Sequence, residues 1–395
     1  MNEPSLLKNP KNSNSSKSPK LNSQLLARLK LGVKPKLHWD APYRVADNPQ
    51  NNQQKKLEVL EFFRTPSTPE EVWHRLPPER QNKEEFAKNL EKAIAFKLLQ
   101  EELKLPEFDK PIFIISAPRA GSTLLFETLS QFPNLWTVGR ESHDLIEAIP
   151  ELHPAAHNFS SNRLTEADAL PHIGPALRDG FVRQLRDRSG TAYLNLPIEQ
   201  RPQKIRFLEK TPKNALRVPF LKAIFPDALF IFLYREPRAN ISSIMEGWRS
   251  PHFIPYPELP GWQKKKWRFL LIPGWSSLQN CSQAEIAARQ WQTANSYIWN
   301  DLQSLPSSSW RPVRYRDLIE EPEKAIKQIS EFAGIELDAK IEERLSKSLP
   351  ISAVTLSAPS PEKWRKNERE ILEILPIVEP IANIIERKLN DRTFA

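Results

Sequence analysis

An α/β fold with a central parallel sheet flanked by helices is predicted by three features of this 395-residue sequence. Two short apolar runs, 111–116 and 229–234, have the length and composition of strands buried on both faces. Each run ends in a turn containing Pro and Arg. A helical pattern follows each turn, and such strand–helix alternation belongs to parallel α/β sheets.

The elements can be read in order. Residues 111–116 form the first long strand and 122–132 the helix after it. Residues 206–208 and 313–315 are shorter strand candidates on either side of the strand at 229–234. Ser282-Gln283-Ala284-Glu285 is a capping box that opens a long helix to about residue 302. Residues 368–389 are helical by pattern and are expected to break near Pro376 and Pro380.

The sheet is expected to belong to a domain at 108–395, preceded by two other segments. The chain carries a net charge of +9, but residues 1–38 hold eight Lys or Arg against Glu3 alone. That segment accounts for +7, so the charge describes a tail and gives no reason to expect nucleic acid as a partner. It lacks the apolar content to fold alone and reads as a flexible basic arm. Residues 39–107 read as a small helical module. Thr68 is an N-cap followed by Pro69 and, three residues on, Glu71, and Phe86, Leu90, Ile94 and Leu98 share a helix face. This module resembles small winged-helix-like modules appended to some bacterial biosynthetic proteins, without a basic recognition helix; packing on the larger domain or docking to a protein partner is its expected use. The N-terminus has no apolar signal core and no run is long enough to span a bilayer. Together with a single cysteine, Cys281, and no Cys/His ligand spacing, this points to the cytoplasm and to no metal.

The strongest chemical signal is Pro118-Arg119-Ala120-Gly121-Ser122-Thr123, between the first strand and its helix. A strand–loop–helix turn aims free backbone N–H groups at an anion, and the helix dipole adds to the attraction. Gly121 permits the tight turn, Ser122 and Thr123 add hydroxyls, and Arg119 supplies a fixed charge. The Gly-x4-Gly-Lys-Ser/Thr pattern of nucleoside-triphosphate loops is missing. The second signal follows the strand at 229–234: Arg235 at its end and Ser243 eight residues later can grip one phosphate from two sides. Taken alone, Arg235 has a structural ion pair as its lesser alternative.

These two segments resemble the nucleotide-binding elements of sulfotransferases that use 3′-phosphoadenosine 5′-phosphosulfate (PAPS). The resemblance covers about residues 109–390 and is nearest, in the motif regions, to bacterial and tyrosylprotein sulfotransferases. It implies a P-loop-like sulfotransferase fold, with Arg119, Ala120, Gly121, Ser122 and Thr123 holding the phosphosulfate and Arg235 and Ser243 the 3′-phosphate. It implies PAPS as donor and a hydroxyl-bearing acceptor.

Sulfuryl transfer needs a cation at the transferring group and a base at the acceptor. Lys210, in Leu208-Glu209-Lys210-Thr211-Pro212, resembles the family lysine that stabilises the transferring group. Glu141, in Gly139-Arg140-Glu141-Ser142-His143, matches the family's base glutamate by its spacing from Gly139, although the family reads Gly-Glu-Glu there. His143 is the alternative base, since its ordinary pKa lies near neutrality. Tyr315 resembles a tyrosine beside the nucleotide, and Lys363-Trp364 a C-terminal segment that closes over the donor.

Residues 247–280 are rich in Trp, Phe and Pro without period. They read either as a lid over an acceptor pocket or as a satellite aromatic core on the small module. Two other functions stay open on sequence: a small-molecule kinase on a related sheet, and a non-catalytic nucleotide-binding protein of the same fold.

Overall fold

The structure, a computed structural model, describes residues 82, 84 and 105–390 except 265, 348, 353 and 357–359. The expected basic arm and nearly all of the small module lie outside the described residues.

Six strands form the sheet: β1 (Glu107–Phe108), β2 (Ile112–Ile115), β3 (Leu135–Trp136), β4 (Lys204–Lys210), β5 (Leu229–Tyr234) and β6 (Trp310–Arg314). Every pairing is parallel, in the order β1-β4-β2-β5-β6, with β3 also paired to β4. Glu107 is therefore already part of the sheet, and β1 starts at the boundary assigned to the small module. Between residues 105 and 390 the α-helices are α1 (Ser122–Leu129), α2 (His143–Glu147), α3 (Ile173–Val182), α4 (Val218–Ile224), α5 (Pro237–Arg249), α6 (Gln283–Gln303), α7 (Tyr315–Glu320), α8 (Pro322–Ala333), α9 (Ala339–Leu345) and α10 (Glu368–Asn390).

The apolar strands are buried on both faces because alternate residues feed two cores. Phe113, Ile115, Phe230 and Phe232 join the core under α3, α4, α5, α6 and α10. Ile112, Ile114, Ile231 and Leu233 join the core under α1, α7, α8 and α9. The helix α6 opens on the expected box: the Glu285 amide donates to Ser282 Oγ at 3.2 Å and the Ser282 amide to Glu285 Oε2 at 2.6 Å.

Three element readings change. The strand expected at 206–208 runs the full length of β4, and the strand expected at 313–315 is β6, which stops at Arg314 so that Tyr315 opens α7. Pro376 and Pro380 lie inside α10, which is not broken there. They are exposed and one helical turn apart, so the carbonyls deprived of a donor face water, and any bend wraps the helix onto the core. The aromatic stretch begins as the end of α5 and continues irregularly to a turn at Trp275–Leu278. Trp262, Trp267 and Trp275 pack edge-on, at 4.9 Å and 5.9 Å between ring centres, as part of the main core. Phe253 and Phe269 stack at 5.4 Å and face a cavity. The stretch thus serves core and cavity together. No described helix is long and apolar enough to cross a membrane.

Candidate functional site

A cavity of about 580 Å³ opens at the C-terminal ends of β2, β4, β5 and β6. The chain leaves β2 for β3 beyond β4, and later returns to β5 on the other side of β2. That reversal opens a crevice at the strand ends, where open α/β sheets bind ligands.

The loop after β2 is held open by its neighbours. Gly121 has φ +103° and precedes α1, whose N-terminus has no side-chain cap. A Cβ at Gly121 would lie 2.3 Å from Cε2 of Tyr315, so only glycine lets that ring close against the loop. Asn240 Nδ2 donates to the Pro118 carbonyl at 2.8 Å, and Arg235 Nη1 to the Arg119 carbonyl at 3.1 Å. These bonds pin the loop to the end of β5 and to α5. Ala120 is fully buried and faces away from the cavity, while Arg119, Gly121, Ser122 and Thr123 line it.

Positive charge converges on this end. Arg119, Arg235 and Lys363 all line the cavity. Burial, and then the neighbouring Arg235, pull the Arg119 guanidinium down to about 10. Burial lowers Arg235, and burial with Arg235 and Arg119 lowers Lys363. The Nε–H groups of Arg119 and Arg235 are buried and make no hydrogen bond among the described residues. A cluster of cations in which Arg119 and Lys363 are depressed by their neighbours, with unspent donors beside an uncapped helix N-terminus, fits an anionic ligand. The Arg235 guanidinium stacks on Tyr315 at 4.6 Å, and buried Ser243 lines the same wall. Arg119 stacks on Phe253 at 4.7 Å and donates to the Val354 carbonyl at 3.0 Å. Lys363 pairs with Glu246 at 2.9 Å, and Trp364 lies between Arg238 and Arg365, each 5.0 Å away.

The other end holds the expected chemical groups in contact. Lys210 Nζ donates to Glu141 Oε1 at 2.6 Å and to Thr123 Oγ1 at 3.0 Å. Lys210 is therefore paired behind the cavity wall rather than free within it. His143 Nδ1 is 3.6 Å from Glu141 Oε2 and its Nε2 is 3.2 Å from Asp144 Oδ1. Burial, and then the Lys213 charge, lower the His143 pKa below its ordinary value, so the ring is neutral near pH 7. Beneath it, Glu147 Oε1 accepts from Arg217 at 2.6 Å and Glu147 Oε2 from Lys213 at 2.7 Å.

Several of these groups escaped the sequence reading. Lys213 lines the cavity three residues after Lys210, and Asn240 lies on α5 between Arg235 and Ser243. Residues 349–352 and 354–356 cross the rim, bringing Ile351 (66% exposed), Val354 and Leu356. The signal available was an apolar stretch, 349–356, in a segment without period.

Known proteins resemble this chain at modest identity. It is 23% identical over 254 residues to protein-tyrosine sulfotransferase A of Caenorhabditis elegans, a match covering 62% of this chain and 56% of the relative. It is 25% identical over 143 residues to nodulation protein NoeE of Sinorhizobium fredii, covering 35% and 32%. The chain thus spans about half, or less, of the curated relatives it matches. Among solved structures, the sulfotransferase domain from the curacin biosynthetic pathway aligns with TM-score 0.37 and 19% identity, over 71% of this chain and 97% of that one. The match to the sulfotransferase family runs over residues 111–339, more than half of the chain and all four strand ends that reach the cavity, and the protein belongs to that family.

Proposed function

We propose that the protein moves the sulfuryl group of PAPS to a hydroxyl-bearing acceptor by in-line displacement, working in the cytoplasm. The observation that carries this reading is the meeting of Arg119, Arg235 and Lys363, with unspent guanidinium donors, around the uncapped end of α1.

In this reading the loop from Arg119 to Thr123 receives the phosphosulfate, with Ala120 contributing backbone only. Arg235 and Ser243 grip the 3′-phosphate, a second anion at a fixed distance from the first. Tyr315 and Trp364 flank the nucleotide, and Lys363 exchanges Glu246 for it. PAPS supplies the activated sulfuryl group; the chain supplies position and charge. Lys210 spans the loop hydroxyl and the acceptor side, so one ammonium serves both halves of the transfer. Glu141 takes the acceptor proton, with neutral His143 beside it to orient the hydroxyl. Phe253, Ile254, Phe269 and Leu270 give the cavity an apolar wall, which favours a hydroxyl carried on an apolar or aromatic body.

Calorimetric titration with adenosine 3′,5′-bisphosphate, against ATP with magnesium, tests the reading. Tight bisphosphate and weak ATP binding are expected, followed by label transfer from donor to phenols and alcohols. Preference for ATP with magnesium, or no bisphosphate binding, overturns it in favour of a kinase.

A further inference from the structure

We infer that Glu209, which does not line the cavity, is the positioning residue that sets the Glu141 carboxylate against Lys210. Its consequence for turnover rests on the sulfotransfer reading; its geometry does not.

Glu141 and His143 are poorly held by packing, with side chains 37% and 31% exposed. What fixes them is Ser142 between them, which is fully buried. The Ser142 amide donates to Thr211 Oγ1 at 2.7 Å. The hydroxyls of Ser142 and Thr211 both donate to Glu209 Oε1, each at 2.6 Å, and Asn214 Nδ2 donates to Glu209 Oε2 at 2.6 Å. The turn from Glu141 to His143 is thus docked on the end of β4 by two adjacent rungs. One is Ser142 on Glu209 and Thr211, and the other is Glu141 on Lys210.

The direction of the bonds requires an acceptor at position 209. Each hydroxyl has one proton, and both protons point at the same carboxylate oxygen. With its proton committed to Glu209, Thr211 Oγ1 keeps a lone pair turned to the Ser142 amide. Only 1% of Glu209 is exposed, so water cannot replace the carboxylate. An apolar side chain there would leave two buried hydroxyls without an acceptor and free Thr211 to rotate off the Ser142 amide. Glutamine can keep the arrangement. Its oxygen would face the hydroxyls and its amide would face Asn214, whose buried Oδ1 has no hydrogen-bond partner among the described residues and accepts after the Asn214 amide turns over.

The test compares wild type, Glu209→Gln and Glu209→Leu in three measurements: crystal structures with adenosine 3′,5′-bisphosphate, calorimetry with the same ligand, and steady-state transfer to a phenolic acceptor. Glu209→Gln should keep the contact between Lys210 and Glu141 and most of kcat. Glu209→Leu should part them by about 1 Å and lower kcat by about 10²-fold, with bisphosphate affinity and acceptor KM nearly unchanged. Thr211→Val, which removes one hydroxyl and keeps the shape, should give the same split and decides the matter if the leucine variant does not fold. The inference is overturned if the contact survives in Glu209→Leu, or if bisphosphate affinity falls in step with kcat. A wild-type protein that binds no bisphosphate would sink the sulfotransfer reading, while crystal structures of the three proteins without ligand would still decide the role of Glu209.

Discussion

Lys210 donates to Glu141 Oε1 across 2.6 Å, and the same ammonium reaches Thr123 Oγ1 at 3.0 Å. The two residues lie 69 positions apart in the chain and meet where the loop after β2 and the turn before α2 face the end of β4. The contact holds the Glu141 carboxylate at the cavity wall. Glu141→Gln should lower turnover by about 10²–10⁴-fold, as expected for a lost general base, and leave bisphosphate affinity nearly intact. Normal turnover in Glu141→Gln would move the proton to His143.

Arg235 lines the cavity with a largely buried guanidinium and pins the loop through its bond to the Arg119 carbonyl. Arg235→Ala should weaken adenosine 3′,5′-bisphosphate binding by about 1.5–3 kcal/mol, the range for a charged hydrogen bond. That is roughly 10- to 150-fold in Kd. Calorimetry at two salt concentrations checks it, because loss of one phosphate contact should also flatten the salt dependence. An unchanged Kd would return Arg235 to a structural role.

The parallel sheet was legible because its buried strands are apolar at every position and their helices follow at once; β2 and β5 fall within a residue of their expected bounds. The short strand at 313–315 was misplaced because Val313-Arg314-Tyr315 has no period of its own, and Tyr315 belongs to a helix that packs on the loop. Proline pattern misled at α10, where both rings face water and interrupt nothing the core needs. In the site, Arg119, Gly121, Arg235 and Lys210 stand beside strand ends, and position along the chain shows that. The contacts of Glu209 with Ser142, and of Glu147 with Lys213 and Arg217, join distant segments. A carboxylate in a single sequence carries no mark of the donors it will meet.

Gly121 allows a direct test of the cradle. Gly121→Ala puts a methyl group 2.3 Å from the Tyr315 ring and holds a non-glycine residue at φ +103°. The backbone alone costs about 1–3 kcal/mol. Bisphosphate binding should be lost and the melting temperature lowered. The double variant Gly121→Ala/Tyr315→Ala removes the clash but not the strained φ, so it should recover part of the stability and little of the binding. Wild-type affinity in Gly121→Ala would mean that the loop does not bind the nucleotide.

Glu147 carries a buried charge beneath His143. Burial alone would raise its carboxyl, but Arg217 and Lys213 outweigh burial and hold it below the ordinary carboxylate range. Glu147→Gln leaves both cations unneutralised, with side chains 0% and 7% exposed. The expected loss of stability is about 3–5 kcal/mol, the cost of breaking a buried pair from one side. The sign of the pH dependence follows from the lowered value. The pair contributes fully above the unfolded carboxyl value of about 4.3 and is lost as pH falls through the folded one. Urea titrations between pH 7 and pH 3 should therefore show the gap between wild type and Glu147→Gln closing on the acid side. A gap that stays constant over that range would mean that Glu147 is held by shape and not by its charge.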